Sequence, residues 1–379
     1  MRTLKRILKR MFISILSIII VLIILGALFI NLSPEFGGTI SDSQKEQFSK
    51  SEHYENGVFE NLGGVTMSMG FNDYLKGLRG FFGPQPNARP KGAVPVVSVD
   101  SMELAKYKGP ARMVWFGHST FLFQADSRNI LIDPMLGPVP APHPFLGGKR
   151  FSEELPISIQ ELPSIDFVLL SHDHYDHLDY GSILKLKDKV QMFFTPLGVG
   201  AHLVEWGVAE DRIKEMDWWD ETSFGGFSIK CVPAQHFSGR GLTDRGKTLW
   251  SGWVIQKDGA NVFFSGDSGY GSHFSKIGDK YGPFDFAMLE CGQYNKLWHE
   301  IHMMPEETAQ AGVDVKAKVI MPIHWGAFKL AMHPWTDPVV RVSDKAKELN
   351  LPIVTPKIGE FIYLAEPTSD DEAWWTRVD

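Results

Sequence analysis

SHDHYDHLD, residues Ser171 to Asp179, directly follows the apolar run IDFVLL. A short apolar run of this kind reads as a buried strand, so the polar residues form the loop leaving its end. Three histidines and two aspartates crowd into the six residues His172 to His177. In such a loop the side chains at i and i+2, His172 and His174, can converge on one point. Asp176 and His177 can then converge on a second point a few ångströms away. Imidazole and carboxylate are zinc-type ligands, at about 2.0–2.2 Å from the ion. The crowding therefore marks a metal site rather than a wet surface loop.

Three further positions stand at the ends of apolar runs. His236 follows FSIKCVPAQ, Asp267 follows NVFFSG, and His324 follows KVIMPI. Alone, each would be an ordinary core histidine or turn carboxylate; beside the first motif they become candidate ligands. The two cysteines, Cys231 and Cys291, can make neither a disulfide framework nor a four-cysteine zinc site. Oxygen and nitrogen must hold any metal.

The chain has 379 residues, 44% hydrophobic and 22% charged, which excludes a disordered, collagen-like or coiled-coil protein. Its net charge of −7 conceals an asymmetry. Residues 1–10 carry Arg2, Lys5, Arg6, Lys9 and Arg10 and no acid. The remainder holds 33 basic against 45 acidic residues. An acidic globular part argues against a nucleic-acid partner, whose phosphates need clustered Lys and Arg.

Residues 11–31 carry no charge, and Met11 to Ile30 are twenty mostly apolar residues. At about 1.5 Å per residue they match the roughly 30 Å hydrocarbon core of a bilayer. A cleaved signal peptide would have a shorter apolar region and a small-residue cleavage site, and LFINLSPEF offers no good one. The reading is a single-pass membrane anchor preceded by a cytoplasmic basic segment, residues 1–10. The positive-inside bias then places the large domain on the outer, periplasmic or extracellular, side.

Residues 32–110 are rich in Gly, Pro, Ser and Asn and read as a tether and extended wrap, with a short helix near Asp73–Arg79 and a loop over Gly80–Pro95. From Ala111 short apolar strands alternate with helical patterns. Strands are expected at Met113–Phe116, Thr120–Gln124, Asn129–Ile132, Phe167–Leu170, Gln191–Thr195, Phe227–Val232, Trp250–Ile255, Asn261–Ser265 and Phe284–Leu289. Helices are expected at about Gly181–Lys187, Val199–Trp206, Gly271–Lys280, Pro305–Val315 and Pro338–Leu349. Strand pairs followed by helices imply two packed mixed sheets with helices outside, an α+β class. The catalytic domain is expected over residues 111–366, and residues 367–379 as an acidic surface tail.

The ordered set His-x-His-x-Asp-His, His, Asp, His resembles the metallo-β-lactamase superfamily. The resemblance implies an αββα sandwich with a two-metal site at one edge. Within it the chain is similar to the N-acylphosphatidylethanolamine-hydrolysing phospholipase D family, through WFGHST (Trp115–Thr120), LIDPM (Leu131–Met135), SHDHYDHLD, LTDRGKTLWSGWVI (Leu242–Ile255), FFSGDSGYG (Phe263–Gly271), YGPFDFAML (Tyr281–Leu289), HMMPEET (His302–Thr308) and MPIHWGAF (Met321–Phe328). The likeness spans roughly residues 105–360. It implies two zinc ions per chain, the first held by His172, His174 and His236, the second by Asp176, His177 and His324, with Asp267 bridging both. Asp267 sets the chain apart from true β-lactamases and with the phosphodiesterase, thioesterase and lactonase branches.

His302 matches a histidine that family uses near the substrate phosphate, and is a candidate catalytic residue with Asp267. His118, Asp133 and Asp179 are expected to support the ligands from behind, the two aspartates by accepting imidazole N–H groups. His299 is expected at the surface. Asp173 stands where the family has Asn, at a position that is not a ligand. The substrate implied is a phospholipid diester; a lactone or other small acyl ester is the alternative, since one such metal centre serves both reactions. Oligomeric state is not implied by any of these residues.

Overall fold

The computed structural model describes residues 2–67, 70–369 and 373–378. The chain begins with helix α1 (Arg2–Leu32), which takes in the whole uncharged stretch and the basic residues before it. Thr3–Leu32 is a candidate membrane span whose apolar side chains are exposed over most of its length. Near its end, however, the Phe29 ring meets Phe36, His143 and Phe145.

Helix α2 (Asp42–Phe48), strands β1 (Tyr54–Glu55) and β2 (Val58–Phe59), and helices α3 (Phe71–Phe82) and α4 (Ser101–Lys106) follow. This segment is not loose. Phe48, Phe59 and Val94 enter the central core, and Leu104 a second cluster. Helix α3 runs through Gly80–Phe82, where a loop is expected from composition, because the Gln85 side chain donates to the Gly80 and Phe81 carbonyls and satisfies the helix end.

The catalytic region contains two sheets. The first comprises β3 (Arg112–Trp115), β4 (Phe121–Ala125), β5 (Arg128–Ile132), β6 (Ile165–Leu169), β7 (Val190–Pro196) and β8 (Ile213–Met216), with α5 (Tyr180–Leu186) and α6 (Gly200–Glu205) between strands. The second comprises β9 (Glu221–Phe224), β10 (Phe227–Val232), β11 (Gly252–Lys257), β12 (Ala260–Phe264), β13 (Phe286–Glu290) and β14 (Ile320–Ile323), interleaved with α7 (His273–Tyr281) and α8 (Pro305–Asp314). After α9 (Asp337–Glu348) the chain returns to the first sheet as β15 (Phe361–Tyr363). The spatial orders are β15-β3-β4-β5-β6-β7-β8 and β14-β13-β12-β11-β10-β9.

Side-chain alternation sets the layers. Phe167 and Leu169 of β6 point into the core between the sheets, with Trp253, Phe264 and Met288. Val168 beside them faces α5 and α6. On the far side, Phe263 and Ala287 meet α7, α8 and α9. Strands buried on both faces explain why the sequence shows continuous apolar runs instead of alternation. The result is the expected αββα sandwich.

The expected surface tail, residues 367–379, is corrected at two positions. Trp374 and Trp375 are buried against Trp325, and Trp374 donates its indole N–H to the Thr355 and Pro356 carbonyls. Two indoles bury far more apolar area than the neighbouring acids can hold in water. Asp370, Asp371, Glu372 and Asp379 lie outside the described residues.

Candidate metal centre

The candidate ligands occupy one edge of the sandwich because each leaves the end of a strand. Ser171 to His177 follow β6, His236 follows β10, Asp267 follows β12, and His324 follows β14. Three residues of this edge, His118, Asp133 and His324, adopt positive φ angles (55°, 40° and 67°). Backbone held in that region turns the side chains away from the strand direction, and such outliers gather at functional sites.

Two clusters result. In the first, His174 Nδ1 lies 2.9 Å from His172 Nε2 and 3.1 Å from His236 Nε2. In the second, Asp176 Oδ2 lies 2.9 Å from His118 Nε2, 3.1 Å from His324 Nε2 and 3.6 Å from His177 Nε2. Asp267 joins them. Its Oδ2 is 3.2 Å from His177 Nε2, 3.1 Å from His324 Nε2, and 3.9 Å from both His172 and His236 Nε2. The other oxygen, Asp267 Oδ1, is buried without a hydrogen-bond partner, as is His177 Nε2. Orphaned buried donors and acceptors are costly, so a convergent set of them fits a cation.

Electrostatics agree. Burial and the neighbouring histidines hold His172 and His236 well below the usual imidazole range, as neutral ligands. Burial alone would push the Asp267 carboxyl up, but the His177 and His324 imidazoles hold it well below the ordinary carboxylate range. His177 is held up at about 10: against the penalty of burial, Asp267, Asp176 and Asp133 surround it with negative charge.

Behind the ligands, Asp133 Oδ2 sits 2.7 Å from His177 Nδ1 and accepts from Ser171 Oγ, while its Oδ1 accepts the Ser171 amide. His118 approaches Asp176 and lies in the second cluster itself. Asp179 is corrected: its carboxylate meets no imidazole among the described contacts. It caps α5, accepting from the Ser182 amide and hydroxyl at 2.7 and 2.5 Å. The cap position of a helix starting one residue later has claimed it. Asp173 faces away from both clusters and binds the Gly239 amide and the Thr248 hydroxyl.

His302 Nδ1 is 3.2 Å from Glu290 Oε1, and its ring stacks on His324 at 5.4 Å and meets His236 edge-on at 5.0 Å. Glu290 was not read from the sequence. It is fully buried, accepts the Met303 amide at 3.0 Å, and stands 3.5 Å from His324 Nδ1. The available signal was an acid ending an apolar run, FDFAMLE, like the other site positions. His299, half-exposed, pairs with Glu307.

A cleft of about 470 Å³ opens over both clusters. His174, Asp176, His236, Asp267, His302 and His324 line it together with apolar groups that include Leu78 and Phe81 of α3.

The comparisons with known proteins fit this geometry. A family model described as the beta-lactamase superfamily domain matches residues 128–325, more than half of the chain. The chain belongs to the metallo-β-lactamase superfamily. It is 36% identical over 353 residues to an uncharacterized protein of Mycobacterium tuberculosis, covering 90% of this chain and 92% of that one. It is 33% identical over 247 residues to N-acyl-phosphatidylethanolamine-hydrolyzing phospholipase D 1 of Caenorhabditis elegans, covering 62% and 68%. Among solved structures, an isothiocyanate hydrolase from Delia radicum gut bacteria superposes with a TM-score of 0.53 at 21% identity, over 66% of this chain and 98% of that one, a likeness of fold. The superfamily and the clustered ligands make the protein a metal-dependent hydrolase.

Proposed function

We propose that the protein is a membrane-anchored phosphodiesterase with two zinc ions, cleaving N-acylphosphatidylethanolamine-like lipids to phosphatidic acid and an N-acylethanolamine. The observation that carries this reading is the cleft, which brings two joined ligand clusters and apolar side chains of α3 into one lining. A chain with an apolar N-terminal helix and a phospholipase relative adds support. Helix α1 is the anchor, with residues 1–10 cytoplasmic and the catalytic domain outside.

In this reading His172, His174, His236 and Asp267 hold one ion, and Asp267, Asp176, His177 and His324 the other. When bound, the pair supplies an acidified water as nucleophile and positive charge at the attacked group. The chain's own residues do the rest. Asp133 fixes the ring of His177, and His118 steadies Asp176. Glu290 takes up the Nδ1 side of His302, leaving the other ring nitrogen for the cleft, where it passes a proton to the departing oxygen. Leu78 and Phe81 offer apolar surface to an acyl chain.

The test uses the full-length, zinc-loaded protein in detergent with N-acylphosphatidylethanolamine, following lipid products by mass spectrometry. Phosphatidic acid from the wild type, and none from Asp267→Asn, is the expected result. No turnover by protein with both clusters loaded would discard this substrate and send the lactones and acyl esters to the same assay.

A further inference from the structure

The helix that lines the cleft, and two segments tied to the metal loop or to the end of α1, carry large apolar side chains exposed to solvent. On α3, Phe71, Leu75, Leu78 and Phe81 are exposed, Phe71 by about three-quarters. At about 100° per residue they fall within roughly one third of the helix circumference. Lys76 and Arg79 flank this stripe on the exposed side of the same helix. Phe145 and Leu146 are exposed as well, Phe145 again by about three-quarters, and so is Leu242. Isolated surface leucines are ordinary; several large exposed apolar groups on one helix face and on segments tied to the same site mark an interaction surface.

The end of α1 is fastened among these groups. Phe29 packs on His143 and Phe145, and Ser33 Oγ lies 3.5 Å from His143 Nε2. Arg240, two residues before Leu242, donates from Nε and Nη2 to the Glu35 carbonyl at 3.0 and 2.6 Å. The same guanidinium donates from Nη1 to the carbonyls of Asp173 and Leu178 in the metal loop. Phe36 meets Tyr175, between His174 and Asp176, edge-on at 6.3 Å. Leu78 and Phe81 line the same cleft as His174 and Asp176. Arg89, seven residues beyond α3, donates to the Lys149 carbonyl and so ties the segment after α3 to the one after Phe145 and Leu146.

A membrane helix that ends against Phe145 brings the headgroup region to that face. From these contacts we infer that Phe71 and Leu75 of α3, Phe145–Leu146 and Leu242 form a lip that dips into the phospholipid interface, so that the cleft opens onto the bilayer. The occupant is the bilayer surface: α1 fixes its level, and an amphipathic helix bearing Lys and Arg beside an apolar stripe suits the acyl–headgroup boundary. The inference rests on the anchor in the proposed function but needs no particular substrate, so it survives if another lipid or ester is cleaved.

The test is fluorescence of the full-length protein in phosphatidylcholine–phosphatidylglycerol vesicles. Both native cysteines are buried, so single introduced cysteines take an environment-sensitive dye selectively. The variants are Leu75→Cys, Phe145→Cys and Leu242→Cys. The reference is Lys318→Cys, exposed just before β14 and thus at the strand end opposite His324. The three lip positions should show blue-shifted emission and be quenched by acyl-chain nitroxide lipids at least about twofold more than Lys318→Cys. Equal quenching at Leu75→Cys and Lys318→Cys would overturn the inference. So would a blue shift at Leu75→Cys without lipid quenching, which would mean that a second copy of the chain covers α3.

Discussion

The ligand edge and the lip above it are built on opposite principles. At the edge every candidate ligand follows a strand end and is buried or nearly so, and other groups back the site: Asp133 behind His177, the Ile301 carbonyl behind His236, Glu290 behind His302, Arg240 on the backbone of the metal loop. The lip consists of an amphipathic helix and two short segments whose large apolar groups are largely exposed. Rigid positioning belongs to the chemistry, and the exposed surface to what the chemistry is given. Changes at the edge should therefore abolish turnover on any substrate, and changes at the lip should matter only for substrate in a bilayer.

The largest expected effect is at the joint between the clusters. Asp267→Asn should reduce turnover below detection and release metal, read by product analysis and by elemental analysis of the purified protein, with the circular dichroism of the fold retained. Activity surviving this change would break the comparison at its stronger side. Next is the acid–base pair: His302→Ala should lower kcat by about a hundredfold with metal content unchanged. Glu290→Gln preserves shape but gives His302 a donor where it now has an acceptor, and should lower kcat about tenfold. A loss of metal in Glu290→Gln would show instead that its main task is holding His324.

Removing the metal exposes the charge balance around His177. Its imidazole is held up at about 10 against an ordinary value of 6.5. Stability from its ion pairs is therefore fully present below pH 6.5 and is lost as the pH rises through about 10. Chelator-treated protein should show Tm falling between those limits, and metal affinity should rise over the same window, because binding displaces that proton. Thermal melts and metal titrations at stepped pH read both. The smallest effect is expected at the lip. The double variant Phe71→Ser with Leu75→Ser should raise KM for vesicle substrate roughly tenfold and leave the rate on a short-chain, water-soluble diester unchanged. An equal loss on both substrates would assign α3 to the catalytic edge.

The two regions were also unequally legible in the sequence. Ligand histidines and aspartates at strand ends can be read because period and position both mark them: an apolar run stops and a chemically distinctive residue stands there. Glu290 obeys the same rule, but a lone acid with no partner at recognisable spacing gives no reason to choose it. Asp179 shows the converse, an acid inside the motif whose local role as a helix cap outweighs its proximity to the histidines. Strands β8 (IKEM) and β9 (ETSF) carry no apolar run to mark them, and β15 has only three residues. β15 exists through its pairing with β3, some 250 residues earlier in the chain. Composition read residues 80–95 as loop and the last residues as surface, while Gln85 prolongs α3 and two tryptophans seal the core beneath the His324 loop.

The claim on which the rest depends is that one carboxylate joins two metal positions. Anomalous diffraction at the zinc edge, on crystals of zinc-loaded protein, tests it directly. Two peaks on either side of Asp267, one beside His172, His174 and His236 and the other beside Asp176, His177 and His324, are the expected result. A single peak, or a second one away from Asp267, would contradict it.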